Sequence, residues 1–248
     1  MHNYCKTIGA LAAVSALVAG NAAAEVDYEL TTGYSNEYLF RGLNLGQDLI
    51  EVSADVKAKL ADGWAVSAYA WYGNVNNGHV FGMNDQSFNE LDLYADVSKE
   101  FSFATATLGY INRSYDTDAM SPGPLGYFDV TQEISLGMSR QFYGIDTSLT
   151  YYWGIEGDND GYTELAMNKA WELKPCLVLN TGGQLGYLME QGQCTALTLK
   201  TSLDWGFAGT AKLSPFMAYA LSLSDPTTVP YNGNKDQFVG GVMLSVGF

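Results

Sequence analysis

Hydrophobic and polar residues alternate with a period of two along almost the whole chain from residue 26 onward. In residues 50–60, Ile, Val, Ala and Leu occupy one set of alternate positions, and Glu, Ser, Asp and Lys occupy the other. Residues 26–34, 90–97, 145–153 and 197–205 follow the same pattern. Because successive side chains of a strand point to opposite faces, each segment predicts a β-strand with one apolar and one polar face.

The alternation predicts twelve strands whose connections alternate in length. The strands are expected near residues 26–40, 48–60, 64–73, 87–98, 101–113, 128–139, 145–154, 162–171, 176–187, 195–205, 210–221 and 236–248. The longer, polar connections lie near residues 41–47, 74–86, 114–127, 155–161, 188–194 and 222–235. Short turns at one end and long loops at the other are typical of outer-membrane barrels. The sequence therefore predicts an all-β fold, a single up-and-down antiparallel transmembrane β-barrel of about 12 strands.

Aromatic residues mark both ends of most predicted strands. Trp64 and Trp205 lie beside short turns, whereas Tyr72 and Trp153 lie toward the longer connections. Aromatic rings favour the boundary between lipid and water. The last predicted strand alternates up to a final Phe248, which resembles the C-terminal signal of bacterial outer-membrane proteins. Both features predict a location in the bacterial outer membrane, with outer-membrane lipid as a partner.

The N-terminus predicts a signal peptide that would direct export through the inner membrane. Lys6 provides a positive charge, residues 8–19 are apolar, and a run of small residues ends at Ala24. An apolar run of this length is too short to span a bilayer as a helix, and its layout fits cleavage after Ala24. We therefore expect a cleaved signal peptide over residues 1–24 and a barrel over residues 25–248.

Composition narrows the class of protein further. Charged residues make up 16% of the chain, and the formal net charge is −15. Soluble domains average about 25% charged residues, and so acidic a chain is a poor nucleic-acid binder. A soluble periplasmic β-barrel stays open as an alternative. Such a barrel would require charged residues outside and apolar residues inside.

The polar positions place many carboxylates, and fewer basic groups, on the interior faces of the predicted barrel. The predicted lumen-lining residues are Glu29, Arg41, Glu51, Asp55, Lys57, Glu90, Asp92, Asp96, Glu133, Asp146, Lys200 and Asp204. Further interior positions are expected for Asp27, Asp129, Glu164, Lys59, Lys169 and Lys212, with Arg113 near the outer rim. Arg41 is expected to reach the lumen or its rim and to pair with a carboxylate such as Glu51.

This interior predicts a narrow, porin-like channel for small solutes or ions. Twelve strands lie between the filled eight-stranded barrels and the open porins. A ring of one charge sign favours ions of the opposite sign, so the acidic interior predicts a preference for cations. The main alternative is a structural or adhesive surface barrel whose interior is solvated or salt-bridged and conducts nothing.

The sequence offers weak grounds for catalysis, a cofactor or a metal, and none of the three is expected. His79 is the one histidine outside the predicted signal peptide, and its polar loop gives no sign of a catalytic triad. Residues 158–161, followed by Glu164, resemble part of a calcium loop. They lack the full twelve-residue pattern, and ordinary turn chemistry accounts for Asp, Asn and Gly there. A barrel enzyme is therefore a minor alternative.

The two cysteines outside the predicted signal peptide are expected to stay unpaired. The strand assignment puts Cys176 at the short-turn end and Cys194 at the long-loop end of the barrel. A strand of ~10 residues rises about 30 Å, whereas a disulfide requires Cα atoms within about 7 Å.

One stretch resembles a known family. Residues 33–45 contain Ser35, Asn36, Tyr38, Phe40, Arg41 and Gly42, with Glu37 as an extra residue before the tyrosine. They resemble the start of the TorF-type porins, which open with a strand and a Ser-Asn-Tyr-x-x-Arg-Gly-like motif. The hairpin series and the length after the predicted cleavage are also similar. The resemblance implies an outer-membrane barrel with a porin role, and it implies no catalytic residues and no particular solute.

Overall fold

The protein is described by a computed structural model covering residues 25–78, 86–117, 130–224 and 235–248. Twelve strands form one closed barrel, in which each strand pairs antiparallel with its sequence neighbours and β1 pairs with β12. The strands are β1 (Glu25–Phe40), β2 (Leu43–Lys59), β3 (Trp64–Gly78), β4 (Gln86–Glu100), β5 (Thr105–Thr117), β6 (Val130–Phe142), β7 (Ile145–Glu156), β8 (Tyr162–Lys174), β9 (Leu177–Leu188), β10 (Gln193–Ala208), β11 (Ala211–Ser222) and β12 (Gln237–Gly247). The predicted fold class is confirmed.

The outer surface of the barrel is apolar. Leu30, Ile50, Leu136 and Leu199 are each more than half exposed, and they lie on the apolar positions of their strands. Strand pairing aligns these positions, since Leu30 lies opposite Ala54 and Ile50 lies opposite Tyr34. This arrangement is the reverse of the one that a soluble barrel requires, because apolar side chains point outward and charged ones inward.

No helix in the part of the chain that the structure describes is long and apolar enough to cross a membrane. The predicted signal peptide, residues 1–24, lies outside the described residues. His79 and Asp129 lie outside them too.

The connection between β1 and β2 is much shorter than predicted. The prediction of a loop over residues 41–47 is wrong, because β2 begins at Leu43 and only Arg41 and Gly42 form the turn. Arg41 has φ 51° and Gly42 has φ 83°, the left-handed conformations that a tight hairpin turn requires. Pairing between the two strands continues past an irregularity at Tyr38 and Leu39, so the hairpin extends well beyond the predicted strand ends.

This β1–β2 hairpin crosses the barrel interior. Its turn residue Gly42 lies against the Ala196 side chain of β10. Asn44 Nδ2 donates a hydrogen bond to Gln237 Oε1 on β12, at 3.2 Å. The hairpin tip therefore lies over one mouth of the barrel and does not extend away from it.

An apolar cluster holds the hairpin in place. Its buried members come from β1 to β4 and are Tyr38, Leu45, Leu49, Trp71, Val75 and Phe88. Val75 and Phe88 are almost completely buried. Burying large side chains of this kind stabilises a protein by about 1.5–3 kcal/mol each, so the hairpin is anchored independently of its turn.

Pro215 lies inside β11, opposite Val242 of β12, and the β11–β12 pairing continues through it without a bulge. On the other side, β11 pairs with β10 at Phe216 (with Ser202) and at Leu213 (with Trp205) in the same register. No residue pair forms between these two, which is where Pro215 lies. Because proline has no amide hydrogen to donate, the sheet accommodates it by interrupting one ladder locally.

Cys176 and Cys194 are free, as predicted. Cys176 is exposed beside the start of β9, and Cys194 lies at the start of β10. The two positions lie at opposite ends of the barrel wall, which confirms this part of the strand assignment.

Candidate functional site

A bidentate ion pair spans the barrel interior. Arg41, at the tip of the β1–β2 hairpin, donates from Nη1 to Glu133 Oε1 at 2.8 Å and from Nη2 to Oε2 at 2.7 Å. Glu133 lies on β6, on the opposite side of the barrel from β1. The planar guanidinium fork matches a carboxylate in this geometry. The pair therefore closes a bridge across the interior, which we call the crossing.

Glu133 has two further partners. Arg113 on β5 places its Nη1 2.9 Å from Glu133 Oε2, and Asn159 Nδ2 donates to Oε1 at 2.8 Å. Each carboxylate oxygen therefore contacts two donors, and the Glu133 side chain is only 4% exposed. A buried carboxylate needs such pairing, because an uncompensated charge away from water is very costly.

Aromatic rings enclose the two guanidinium groups. The Arg41 Cζ lies 4.3 Å from the ring centroid of Tyr162, 4.6 Å from that of Tyr152 and 4.9 Å from that of Phe40. Phe40 also lies 4.9 Å from Arg113 Cζ. These distances permit cation–π attraction. The rings therefore restrict the position of the guanidinium groups, whose nitrogen atoms contact Glu133.

Two more carboxylates lie beside the crossing. Asp92 Oδ2 is 3.3 Å from Arg113 Nε and accepts a hydrogen bond from Tyr94 at 2.9 Å. Glu90, two residues earlier on the same face of β4, is fully buried. Within the described ranges, Glu90 has no ion-pair partner. Arg41, Arg113, Glu90, Asp92 and Glu133 together form a cluster of two arginines and three carboxylates, and below the name crossing refers to this whole cluster.

A cavity of ≈ 340 Å³, which we call the chamber, lies next to the crossing. Its walls come from β1–β4 on one side and β9–β12 on the other, and Arg41 borders it. Glu51 and Trp71 face it from the first wall, while Lys200 and Phe216 face it from the second. The volume suits a small solute.

A second cavity of ≈ 280 Å³ lies along β4–β7. It is lined mainly by small and hydroxyl side chains, among them Ser135, Ser148 and Thr150. Tyr94 borders both cavities, and its hydroxyl donates to Asp92 of the crossing. Water-accessible space therefore lies on both sides of the ion-pair network.

Sequence-predicted residues fall into three groups in the structure. Arg41, Glu90, Asp92 and Glu133 come together at the crossing. Glu51 and Lys200 face each other across the chamber. The other six, which are Glu29, Asp55, Lys57, Asp96, Asp146 and Asp204, lie on the same inward positions of their strands, away from the crossing. That all of them line a solute pathway stays a prediction.

The structure confirms that Arg41 pairs with a carboxylate inside the barrel, but the partner is Glu133 on β6 and not Glu51, because the hairpin leans across the barrel. The expected interior position of Lys169 is wrong. Lys169 shares its face with Met167, and its Nζ lies 4.2 Å from the Trp171 ring on the exposed side. The lysine interrupts the apolar band there, near the short-turn end of β8.

The aromatic residues that pack on the arginines were not among the predicted site residues. Tyr94 and Tyr152 occupy polar positions in the alternating pattern, so their inward orientation was available from sequence. The packing of Tyr152 on Arg41 was not, because that contact joins a hairpin turn to a strand far away in sequence. Tyr94 packs on Arg113 of the neighbouring strand β5.

The loop between β7 and β8 has a structural role at the crossing. Asn159 Oδ1 accepts from the backbone amides of Gly154 and Gly161, at 3.1 and 3.0 Å, which orients its Nδ2 toward Glu133. The carboxylates of Asp158, Asp160 and Glu190 lie within 4.8 Å of one another. Partial burial and the Asp158 charge raise the pKa of Asp160 above its ordinary value.

The fold resembles that of known outer-membrane channels. One is the COG4313 outer membrane channel from Pseudomonas putida F1, with a TM-score of 0.53 and 11% identity over 90% of this chain and 95% of that one. Another is a KdgM porin in complex with disordered oligogalacturonate, with a TM-score of 0.52 and 8% identity over 90% of this chain and 99% of that one. At these identities the likeness concerns the fold alone.

Among curated proteins, none matches the sequence. Residues 19–224 match the sequence profile of a family described as bacterial protein of unknown function, Gcw_chp. This match covers most of the chain, including the crossing and all of the chamber except its β12 residues. The chain therefore belongs to the Gcw_chp family of bacterial proteins.

Proposed function

We propose that the protein is a narrow outer-membrane channel for small solutes or ions, with a preference for cations. The observation that carries this proposal is a closed barrel with an apolar exterior and a charged interior that contains two cavities, both bordered by Tyr94 beside the crossing. An apolar exterior suits lipid, and closure satisfies the backbone hydrogen bonds that lipid cannot. The resemblance of residues 33–45 to TorF-type porins supports the same function.

The preference for cations rests on the sign of the interior charge. Glu51, Asp55 and Asp96 face the interior without an ion-pair partner among the described residues, whereas both arginines at the crossing are paired with carboxylates. The unbalanced charge is therefore mostly negative. A narrow aqueous passage with that charge concentrates cations and repels anions.

Single-channel recording of the refolded protein in a planar bilayer, with a KCl gradient, tests this function. We expect small, discrete conductance steps and a reversal potential that shows potassium passing more readily than chloride. The preference should weaken at high salt, because mobile ions screen the interior charges. A folded barrel that gives no steps would overturn the channel proposal in favour of a structural surface barrel.

Outer-membrane barrels have short periplasmic turns and longer extracellular loops, and we propose the same orientation for this barrel. Tyr143, fully exposed in the β6–β7 turn, represents the short-turn end, and Gln191, exposed before β10, represents the long-loop end. In a background with Cys176→Ser and Cys194→Ser, we expect a membrane-impermeant maleimide to label Gln191→Cys on intact cells. Tyr143→Cys should be labelled only after the outer membrane is permeabilised.

Two other labelling patterns would contradict this topology. If only Tyr143→Cys were labelled on intact cells, the barrel would have the opposite orientation in the membrane. Protection of both cysteines until permeabilisation would favour a periplasmic location.

A further inference from the structure

The two walls of the chamber carry opposite charges. Glu51 on β2 and Asp92 on β4 lie on one wall, and Lys200 on β10 lies on the other. In the closed barrel of twelve strands, β10 is four strands away from β2 and six strands away from β4 around the circumference. The chamber is therefore bipolar, with a carboxylate side and an ammonium side.

Lys200 is an available cation. It is exposed, and within the described ranges it forms no ion pair. Its Nζ lies 4.7 Å from the centroid of the Phe216 ring, and its charge also acts on Glu51 from beyond ion-pair distance. Arg41, by contrast, is committed to Glu133. A negatively charged group entering the chamber would therefore find its free partner at Lys200.

Glu51 is the matching acceptor on the opposite wall. Its Oε2 accepts a hydrogen bond from the indole Nε1 of Trp71 at 2.6 Å, which fixes the carboxylate while leaving Oε1 for another donor. Asp92 is less available, because it is already paired with Arg113 and Tyr94. A positively charged group in the chamber would thus bind at Glu51.

Apolar side chains line part of the remaining surface, namely Phe216, Ala218, Val239 and Met243 of β11 and β12, together with the Trp71 ring. Polar side chains line the rest, among them Glu37, Gln184 and Thr198. A solute that satisfies all three features has an ammonium group, a carboxylate and an apolar side chain between or beside them. Its size is limited by the volume of ≈ 340 Å³.

On the basis of the channel function proposed above, we infer that the chamber is a binding site for small zwitterions with an apolar side chain, of the amino-acid class. The ammonium group of the solute binds Glu51, its carboxylate binds Lys200, and its side chain packs on the apolar residues of β11 and β12. The protein would then pass such solutes selectively and not act only as a sieve for size and charge.

Three probes of similar size separate the contributions of the two charges. L-Phenylalanine has both charges, phenylalaninamide has only the ammonium group, and N-acetylphenylalanine has only the carboxylate. Saturation-transfer difference NMR on the detergent-folded protein measures binding of each probe without requiring conduction. Because each analogue loses one hydrogen bond to a charged group, we expect phenylalanine to bind at least about tenfold more tightly than either analogue.

Two variants assign the charges to residues. Lys200→Met should weaken phenylalanine binding to the level of phenylalaninamide, and Glu51→Gln should weaken it to the level of N-acetylphenylalanine. Lys59→Met and Glu25→Gln make the same charge changes in a pair at the barrel rim. They should leave the preference for phenylalanine over its two analogues unchanged. Heat-modifiable migration on SDS gels shows that each variant has folded.

Equal binding of the three probes would overturn the zwitterion site, as would an unchanged preference in both chamber variants. These outcomes are distinct from failure of the channel. A barrel that conducts without the preference keeps the channel function and loses the zwitterion site. A barrel that shows the preference but gives no conductance steps supports the site and overturns the channel.

Discussion

Replacing Arg41 with alanine should raise the single-channel conductance several-fold. The Arg41 side chain forms the bridge between the hairpin tip and β6, with its guanidinium enclosed by Phe40, Tyr152 and Tyr162. Truncation at Cβ removes that bridge and lets the two cavities communicate more freely. The measurement is the step size in planar bilayers at fixed KCl.

The hairpin itself should stay in place in this variant. Its apolar cluster, which includes Leu45, Leu49 and Val75, does not involve Arg41. Glu133 keeps Arg113 and Asn159 as partners, so its charge stays compensated. The gain in conductance should therefore come from the lost side chain, and the removal of one positive charge should also strengthen the preference for cations.

Two controls separate the bridge from its charge. Arg140→Ala makes the same charge change near the short-turn end, where Arg140 lies over Phe142, and it should leave the conductance unchanged. Arg41→Lys retains the charge but loses the bidentate fork, so an intermediate conductance is expected. A wild-type conductance in Arg41→Ala would mean that ions do not pass between the hairpin tip and β6.

The period-two pattern was sufficient to predict the barrel and the orientation of most side chains. A strand exposed to lipid on one face and water on the other needs strict alternation, so sequence parity carries the information directly. Glu51, Asp92 and Glu133 therefore lie on the predicted faces. The same pattern cannot show where a strand leaves the membrane, and β2 consequently begins five residues before its predicted start.

The crossing could not be predicted, because it depends on contacts between parts of the chain that lie far apart. Arg41 and Glu133 are 92 residues apart in sequence, and no local pattern connects a hairpin turn with a strand across the barrel. The tight turn at Arg41 and Gly42 was hidden for a related reason. Polar residues near a turn suggest a loop in water, whereas here Arg41 and Asn44 lie inside the barrel and find polar partners on β6 and β12. Gly42 packs against Ala196 of β10.

Glu133→Gln should destabilise the barrel more than any other single charge removal in the interior. The substitution retains the shape of the side chain but leaves Arg41 without a negative partner and leaves Arg113 with Asp92 alone. Breaking a buried ion pair by removing one partner costs about 3–5 kcal/mol. We therefore expect a clear fall in the urea midpoint of unfolding, followed by tryptophan fluorescence in detergent.

The matched control is Glu25→Gln, which removes a carboxylate from an exposed pair with Lys59. That pair is solvated and screened, so its loss should leave the midpoint essentially unchanged. A double variant, Arg41→Gln with Glu133→Gln, tests the cause of the loss. Since Arg41→Gln removes the guanidinium that Glu133→Gln leaves uncompensated, the double variant should be more stable than the sum of the two single effects predicts.

The same variant connects stability with selectivity. In Glu133→Gln the crossing loses one of its three carboxylates while both arginines remain, so its local charge becomes more positive. The reversal potential in a KCl gradient should move toward chloride, in the opposite direction from Arg41→Ala. If Glu133→Gln shifted the unfolding midpoint but left the reversal potential unchanged, the crossing would be a structural clasp that permeating ions do not pass.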